Sequence, residues 1–312
     1  MSADTSLQNH GYFLFCANDL YAQHMAACIV SMLENSSLEH HDVCVVGKFE
    51  DEGVAKDLEA LFSKYPNATL RIVNFLPPES LRLPTRMHWT ADTFSRFWVD
   101  DFFDETVGRV LYLDSDMIVT GDIRALWEVD LEGAMFGAVT IPGSDRTAPL
   151  QIPESFGYFN NGVLLFDMDE WRKQNPLSKL LPYIEKKIDD LPFLDQDALN
   201  ACYYDKRCAL DYRWNMIVPF TWKNSFIPLP RAEQQQIVDE AHIVHFNGQT
   251  KPWHYINDHP YKAAYWKYVR MTPWCEAMES GKSLINNLKK LYNKLIPQHA
   301  REYLWRLRGR GE

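Results

Sequence analysis

The chain has 312 residues, 46% of them hydrophobic and 24% charged, which is ordinary for a globular protein of one large domain or two modest ones. Its formal net charge of −10 argues against general nucleic-acid binding, because nucleic-acid phosphates repel an acidic surface. The six cysteines form no CxxC pair, the first residues are polar and no stretch of about 18 apolar residues occurs, so the sequence predicts reduced thiols, no secretory signal and no membrane span.

The first half of the chain alternates short apolar runs with amphipathic runs. The predicted strands are 12–18, 43–47, 69–75 and 110–113, and the predicted helices are 22–33, 52–65 and 90–103, the last capped by Thr90. This alternation predicts a parallel, doubly wound α/β sheet. Ligands of such sheets bind beyond the carboxyl ends of the strands, and Asp114 and Asp116 lie just beyond such an end.

The second half is more mixed. Strands are predicted at 133–140, 160–168 and 241–248, a helix through Glu170 and Trp171 capped by Asp169, and a loop entering a helix at 192–204. Residues 284–296 form one apolar helical stripe that ends before Pro297. Residues 282–312 hold eight Lys or Arg and two acids, a net charge of +6, so this end of the chain suits an anionic partner.

Asp114 and Asp116 are separated only by Ser115, and apolar residues precede and follow them. Buried like charges are costly unless a cation lies between them, and carboxylates are good ligands for Mg²⁺, Mn²⁺ or Ca²⁺. A solvated turn is the alternative for this triplet. His245 ends a second apolar strand, and although a lone histidine is often a core residue, one imidazole beside two carboxylates suits Mn²⁺ better than Mg²⁺.

Several other positions are candidates for a binding site. Gly248 allows close backbone approach, and Lys251 can reach a phosphate as a point charge. Arg96, in "FSRFW", is either a salt-bridged helix residue or a ligand of a diphosphate. Asp195, in "LDQD", caps a helix, belongs to a site, or does both.

Six stretches, in this order and spacing, resemble retaining glycosyltransferase family 8, which includes bacterial lipopolysaccharide galactosyl- and glucosyltransferases. They are "FCANDLY" (15–21), "DTFSRFWVDDFF" (92–103), "RVLYLDSDMIV" (109–119), "YFNNGVLLFDMDEWRK" (158–173), "LDQDALN" (194–200) and "HFNGQTKPWH" (245–254), so the resemblance covers roughly residues 12–255. It implies a GT-A fold, with a Rossmann-like, mostly parallel sheet flanked by helices, and the use of a UDP-sugar with Mn²⁺, Mg²⁺ being an alternative.

The resemblance also implies roles for individual residues. Asp114, Asp116 and His245 would bind the metal. Gly248 and Lys251 would hold the diphosphate, Cys16 (through its backbone), Asn18 and Tyr21 would border the uridine, Arg96 and Ser115 would contact the donor, and Asn160, Asp195 and Gln196 would line the sugar and the reaction centre. Gln196, Asp195 and Lys251 are the expected catalytic residues.

Two departures from the family pattern bear on the donor. Asn18 stands where aspartate is common, and an amide still bonds uracil. Ile141 stands where some galactosyltransferases of the family have an acid, with Asp145 as a substitute further along the loop, so UDP-galactose and UDP-glucose both remain candidate donors. We expect same-face attack near Gln196 rather than a covalent glycosyl-enzyme on Asp195 or Asp197.

The expected organisation is a GT-A catalytic domain at 1–275, with a nucleotide-binding half at about 12–140 and an acceptor half at about 141–275. Residues 276–312 would bind an anionic membrane surface, or else dock as a helix on the acidic body. We therefore expect a cytoplasmic enzyme, peripheral at the inner membrane, that glycosylates a lipopolysaccharide or other lipid-linked core.

Two other functions remain open at this point. A phosphatase of the haloacid dehalogenase type also has DxD after a strand. A non-catalytic sugar-binding protein would explain Trp214, Trp222 and Trp253.

Overall fold

The computed structural model describes residues 9–78 and 91–295. The strands in that part of the chain are β1 (His10–Cys16), β2 (His40–Gly47), β3 (Ala68–Asn74), β4 (Arg109–Leu113), β5 (Met117–Val119), β6 (Phe136–Thr140), β7 (Phe159–Asp167), β8 (Arg207–Leu210), β9 (Met216–Ile217) and β10 (Ile243–His245). The α-helices are α1 (Ala22–Glu34), α2 (Glu52–Phe62), α3 (Arg124–Trp127), α4 (Met168–Gln174), α5 (Leu177–Lys187), α6 (Leu194–Tyr203), α7 (Arg231–Asp239), α8 (Lys262–Val269) and α9 (Leu284–Leu295).

Seven strands form a central sheet in the order β3-β2-β1-β4-β7-β6-β8. Strand β7 runs antiparallel to β4 and β6, and all other neighbours in the sheet are parallel. Helices α1 and α2 make the crossovers between the first three strands, as parallel pairing requires. The predicted α/β fold with a mostly parallel sheet is confirmed.

A smaller sheet lies beside the central one, in the order β5-β10-β9. Strand β10 pairs antiparallel with β5 and parallel with β9. The predicted strand at 241–248 is therefore present, shortened to Ile243–His245, and it joins a sheet whose other two members are too short to be recognised from their own sequence.

Apolar cores cover both faces of the central sheet. Phe13 and Phe15 of β1 point into one core and Leu14 into the other. Strands buried on both faces are continuous apolar runs, which is why β1, β2 and β4 were predictable. Each large side chain so buried stabilises the fold by about 1.5–3 kcal/mol.

Some local predictions are wrong or altered. The predicted helix at 90–103 is a 3-10 helix, Ala91–Phe102, with a kink at Trp98, and its proposed cap Thr90 lies outside the described residues. Helix α4 is capped by Asp167 rather than Asp169: the extended backbone of Asp167 lets its carboxylate accept the Glu170 N–H at 3.0 Å. Helix α6 begins after Phe193, so Asp195 lies inside its first turn and is not its cap.

The stripe at 284–296 forms α9 as predicted, and Pro297 with the rest of the basic end lies outside the described residues. Among the described helices, none has both the length and the apolar character needed to cross a bilayer.

Candidate functional site

The two sequence-distant halves of the predicted metal site meet beside the carboxyl end of β4. Asp114 and Asp116 follow β4 directly, and β5 begins at Met117. The register of β10 on β5 places His245 opposite Met117, and the Phe246 N–H donates to the Asp116 carbonyl at 2.9 Å. The small sheet is thus what brings the histidine to the carboxylates.

Asp114, Asp116 and His245, which we call the metal cluster, turn one atom each toward a shared point. Asp116 Oδ1 lies 3.3 Å and Asp114 Oδ2 3.6 Å from His245 Nε2, and the three candidate ligand atoms lie within 4.8 Å of one another. Two carboxylate oxygens and one imidazole nitrogen are a donor set suited to Mn²⁺.

The protein holds the opposite atom of each member of the metal cluster. Asp114 Oδ1 accepts from the Tyr112 hydroxyl at 2.5 Å and pairs with Arg96 at 3.1 Å. Asp116 Oδ2 pairs with Lys251 Nζ at 2.6 Å. Such outer contacts orient metal ligands, so the geometry of these residues fits a divalent cation.

The tautomer of His245 follows from a backbone group. The Gly162 N–H donates to Asn160 Oδ1 at 3.0 Å, which fixes that atom as the oxygen. The Asn215 amide nitrogen donates to the same oxygen at 2.8 Å, so Asn215 Oδ1 is the atom that lies 3.0 Å from His245 Nδ1. His245 Nδ1 therefore carries a proton, and Nε2 is the ring nitrogen that faces the two carboxylates.

Gly162 is a site residue that sequence reasoning missed. A Cβ at this position would lie 2.5 Å from His245 Cε1 and 2.7 Å from Asp114 Oδ2. Any residue other than glycine would therefore displace His245 or Asp114 from its present position. The glycine within "NNG" on a buried strand was the available signal, since glycine inside a strand often marks a close approach.

Lys251 and Arg96 complete a charged side of the cavity. Lys251 also donates to the Phe246 carbonyl at 2.8 Å. Burial acts to raise the pKa of Asp116, but the Lys251 ammonium and the His245 imidazole hold it well below its usual value. Arg96 is buried, donates to the Asn161 carbonyl and lies 4.3 Å from the Tyr112 ring centre, so it is an ion-paired residue aimed into the site. We call Asp114, Asp116, His245, Lys251 and Arg96 the ionic wall.

A second part of the cavity lining is made of neutral groups. Gln196 Oε1 accepts from the Asn160 amide at 2.9 Å, and Gln196 Nε2 donates to the Tyr158 hydroxyl at 2.8 Å. The Tyr158 hydroxyl donates in turn to Asp197 at 2.7 Å. Burial first, and then the Asp197 charge, raise the pKa of Tyr158 well above its usual value, so it stays a hydrogen-bond donor. We call Asn160, Gln196 and Tyr158, together with the buried Asn215 that bonds to Asn160, the amide wall.

Two aspartates adjoin these walls, Asp195 in the cavity lining and Asp197 behind it. Asp195 accepts from the Asn161 amide at 2.6 Å and pairs with Arg96 at 3.3 Å. Burial, with a smaller contribution from Asp114, raises the pKa of Asp195 to about 6 although Arg96 acts in the opposite direction. Asp197 is fully buried and pairs with Arg146 at 3.0 Å, so it lies beneath the surface of the cavity.

The end of the cavity beside β1 carries the predicted uridine residues. Asn18 accepts the Leu20 N–H at 3.1 Å and so caps a short 3-10 helix, Asp19–Tyr21. The Tyr21 ring packs edge-on to Trp253 and His24, with centroids 6.2 and 5.7 Å apart. Burial and the charges of Asp116 and Asp114 raise the pKa of Tyr21 to about 12, which keeps the phenol neutral.

The structure gathers nearly all of the predicted site residues around one cavity of about 760 Å³. Those that line it are Cys16, Asn18, Tyr21, Arg96, Asp114, Ser115, Asp116, Asn160, Asp195, Gln196, His245 and Lys251. Gly248 is not among the lining residues, and a Cβ there would meet Val218 only at ordinary contact distance, 3.4 Å. Ile141 and Asp145 both line the cavity.

Asn215, within "RWNMIVPFTW" (213–222), is a further residue beside the site that sequence reasoning missed. It is completely buried and joins Asn160 to His245. A single asparagine between a tryptophan and an apolar run was a usable signal, because a buried amide needs partners.

Comparison with known proteins gives a consistent result. The family model described as glycosyl transferase family 8 matches residues 13–257. General stress protein A of Bacillus subtilis is 31% identical over 277 residues, which cover 84% of this chain and 94% of that protein. Lipopolysaccharide 1,3-galactosyltransferase of Salmonella typhimurium is 29% identical over 237 residues, 72% of this chain and 68% of that protein.

Among solved structures, the crystal structure of galactosyltransferase LgtC in complex with donor and acceptor sugar analogs superposes with a TM-score of 0.73. The superposed region covers 84% of this chain and 96% of the LgtC chain. Because the sequence identity is 21%, this similarity shows a shared fold only.

Proposed function

The chain belongs to glycosyltransferase family 8 and has the GT-A fold, and from that premise we propose that it is a retaining hexosyltransferase that moves galactose or glucose from a UDP-sugar to a glycan acceptor. One observation carries the proposal: Asp114 Oδ2, Asp116 Oδ1 and His245 Nε2 converge in the cavity while the protein holds the other side of each residue.

A divalent cation, Mn²⁺ with Mg²⁺ as the alternative, would be held by these three atoms and would stabilise the charge that grows on the departing diphosphate. The chain adds its own cation at the same place. Lys251 is nearly buried against Asp116, and an ammonium in a site of low polarity stabilises developing negative charge strongly. Arg96 keeps Asp114 and Asp195 in place through both of its ion pairs.

The uridine would lie at the β1 end of the cavity. Tyr21 offers a neutral ring for stacking, and Asn18 offers an amide beside the Cys16 backbone. Gly248, which stands just outside the lining, would leave room for a diphosphate oxygen near Lys251.

The amide wall supports same-face attack. Both polar atoms of Gln196 are engaged, and an amide is a poor nucleophile. Asp197 is buried and paired with Arg146, and Asp195, which lines the cavity, is paired with Arg96, so each carboxylate is already held by a cation. In the proposed step the bond from the anomeric carbon to UDP breaks, the acceptor oxygen bonds to that carbon from the same face, and its proton passes to the departing UDP oxygen.

The mouth of the cavity suits a sugar acceptor. Trp222, Phe226 and Phe193 line it and are 45%, 50% and 43% exposed. Exposed aromatic rings at a cavity edge provide apolar faces for sugar rings. Since a similar protein is a lipopolysaccharide 1,3-galactosyltransferase, we propose a lipopolysaccharide or lipooligosaccharide core as the acceptor.

Hydrolysis of a panel of UDP-sugars with and without Mn²⁺ tests the donor proposal. We expect Mn²⁺-dependent release of UDP from UDP-galactose or UDP-glucose, and loss of that release in Asp114→Asn. Release of phosphate from simple phosphate esters without UDP release would favour a phosphatase. A thermal shift with sugars that ignores UDP and Mn²⁺ would favour a non-catalytic sugar-binding protein.

We propose further that residues 276–312 form a basic tail that binds an anionic membrane surface at the cytoplasmic face, while residues 1–275 form the catalytic domain. Leu284, Ile285 and Leu288 of α9 are 82%, 66% and 66% exposed, so these members of the apolar stripe are not packed on the body. Lys290 alone of the described α9 side chains pairs with the body, at Asp258 and Tyr255. An exposed apolar stripe flanked by lysines is typical of a helix that lies in the lipid interface.

Leu288→Glu tests this tail, with Leu76→Glu as the matched control at another exposed leucine. We expect the Leu288 variant to lose co-sedimentation with vesicles containing phosphatidylserine, because the new charge must enter the lipid interface, and the control to bind as the unmodified protein does. Equal binding by both variants and by the chain without residues 282–312 would contradict the proposal.

A further inference from the structure

We propose a second metal site, formed by His10, His40 and Asp42 and specific for a Zn²⁺-class ion. It lies at the start of β1 and β2, and the cavity lies at the other end of these strands. We call these residues the triad. Their three candidate ligand atoms lie within 4.8 Å of one another. His10 begins β1 and Cys16 ends it, so a rise of about 3.3 Å per residue separates the triad from the cavity by roughly 20 Å.

The backbone register places the triad on one face. His10 and His40 are direct partners in the parallel pairing of β1 with β2. Asp42 follows His40 by two residues, and side chains two apart on a strand point to the same side. His41, between them, is buried in the opposite direction. The arrangement is therefore a consequence of strand pairing and does not depend on a loop.

The side-chain atoms already lie near ligand spacing. Asp42 Oδ2 is 2.6 Å from His10 Nε2, and Asp42 Oδ1 is 3.6 Å from His40 Nε2. Ligand atoms of a tetrahedral zinc site are about 3.4 Å apart, given metal–ligand distances near 2.1 Å. Small side-chain rotations would bring all three to that spacing. The three side chains are 28–34% exposed, so water can occupy the fourth position.

Neighbouring residues orient the triad. The Tyr12 ring is stacked on the His10 ring, with centroids 4.8 Å apart and an interplanar angle of 7°. Thr69, the partner of Asp42 in β3, donates its hydroxyl to Asp42 Oδ1. Ligating carboxylates commonly have such a supporting hydrogen bond.

The chemistry of the triad differs from that of the metal cluster. Two imidazoles and one carboxylate form the softer, nitrogen-rich set, which favours Zn²⁺ over Mn²⁺. An ion here would join the first strand of the chain to its neighbour. Because it would bind the folded state, it would raise the stability of that state in proportion to the logarithm of its concentration.

Calorimetric titration of the metal-stripped, full-length protein with Zn²⁺ tests the proposal. We expect a site that is lost in His10→Ala and in His40→Ala, each by more than about 100-fold in affinity, and weakened about 10-fold in Thr69→Val. Glu39→Gln, which removes an exposed carboxylate next to His40, is the matched control and should bind Zn²⁺ as the unmodified chain does. Asp114→Asn should keep this site, since it changes only the metal cluster.

Thermal unfolding with Zn²⁺ or with a chelator gives a second measurement. Zn²⁺ should raise the melting temperature of the unmodified chain and of Glu39→Gln by more than that of His40→Ala or of the milder His40→Gln, because the His40 variants keep only the metal cluster. Unchanged Zn²⁺ affinity and stoichiometry in both histidine variants would overturn the proposal. Complete loss of Zn²⁺ binding in Asp114→Asn would overturn it as well, since the ion would then belong to the cavity.

Discussion

The two walls of the cavity hold their polar groups in different ways. The ionic wall balances two carboxylates against Lys251, Arg96 and a histidine, in contacts of 2.6–3.6 Å. The amide wall carries no formal charge at its surface, and its groups are joined by neutral hydrogen bonds of 2.8–3.0 Å. Charge thus stands where a diphosphate would depart, and neutral groups stand where a sugar would be held.

The difference predicts that substitutions in the ionic wall lower the enzymatic rate more than substitutions in the amide wall do. Removing an electrostatic contact to developing charge costs roughly 100- to 1,000-fold in rate. A neutral hydrogen bond contributes about 1 kcal/mol. The following predictions run from the largest expected free-energy change to the smallest.

Asp116→Asn should lower kcat/KM for UDP-sugar hydrolysis about 1,000-fold, or about 4 kcal/mol, at saturating Mn²⁺. The variant loses a proposed metal ligand and the partner of Lys251 at once. Steady-state kinetics measure the change. The exposed Asp239→Asn is the control and should be unaffected. A loss of less than tenfold in Asp116→Asn would remove the metal cluster from the mechanism.

The free energy of unfolding should fall by about 3 kcal/mol between about pH 3 and pH 7 because of Asp195 alone. Its pKa of about 6 in the folded chain lies above the usual 3.8, so the folded state keeps a proton that the unfolded state releases in this window. The stabilising contribution is complete below about pH 3 and lost above about pH 7. Urea unfolding of the unmodified chain and of Asp195→Asn measures the difference, and a difference that does not vary with pH contradicts the assignment.

Gly162→Ala should lower activity about 100-fold, because displacing a reacting group by about 1 Å has an effect of this size. The added Cβ would have to push His245 or Asp114 aside. Gly108→Ala is the matched control, since a Cβ there meets nothing within 4 Å. Mn²⁺ affinity should fall in the first variant only. If both variants kept the affinity of the unmodified chain, the close approach at Gly162 would have no functional weight.

Gln196→Ala should lower kcat about tenfold with little change in KM, as the loss of one neutral contact predicts. Gln235→Ala, at an exposed glutamine of α7, serves as the control. Near-normal turnover in Gln196→Ala would remove this residue from the reaction. A loss as large as that of Asp116→Asn would instead erase the distinction between the two walls.

Much of the fold was predictable because the signals are local. Continuous apolar runs marked β1, β2 and β4, and the 3.6-residue stripe marked α1 and α9. The polar pair after β4 was visible for the same reason, since charges directly after a buried strand stand out in the sequence.

The remaining parts depend on contacts between distant residues. β5 and β9 have three and two residues, too few for any periodic pattern, and they form only because β10 pairs with both. Asn215 acquires its role from Asn160 and His245, neither of which is near it in the sequence. The family resemblance supplied Asn160 and Gln196, but the hydrogen bonds that join them to the histidine required coordinates.

Two peptide N–H groups of β7 determine the polarity of the whole amide wall. Gly162 donates to Asn160 and Asn161 donates to Gln196, so main-chain atoms, which no substitution can invert, specify which end of each amide is oxygen. Consequently the same strand orients the His245 ring, through Asn160 and Asn215, and the Gln196 carboxamide. A substitution that displaces β7 would misorient the His245 ring and the Gln196 amide together. It should therefore abolish the proposed metal binding and the proposed sugar binding at once.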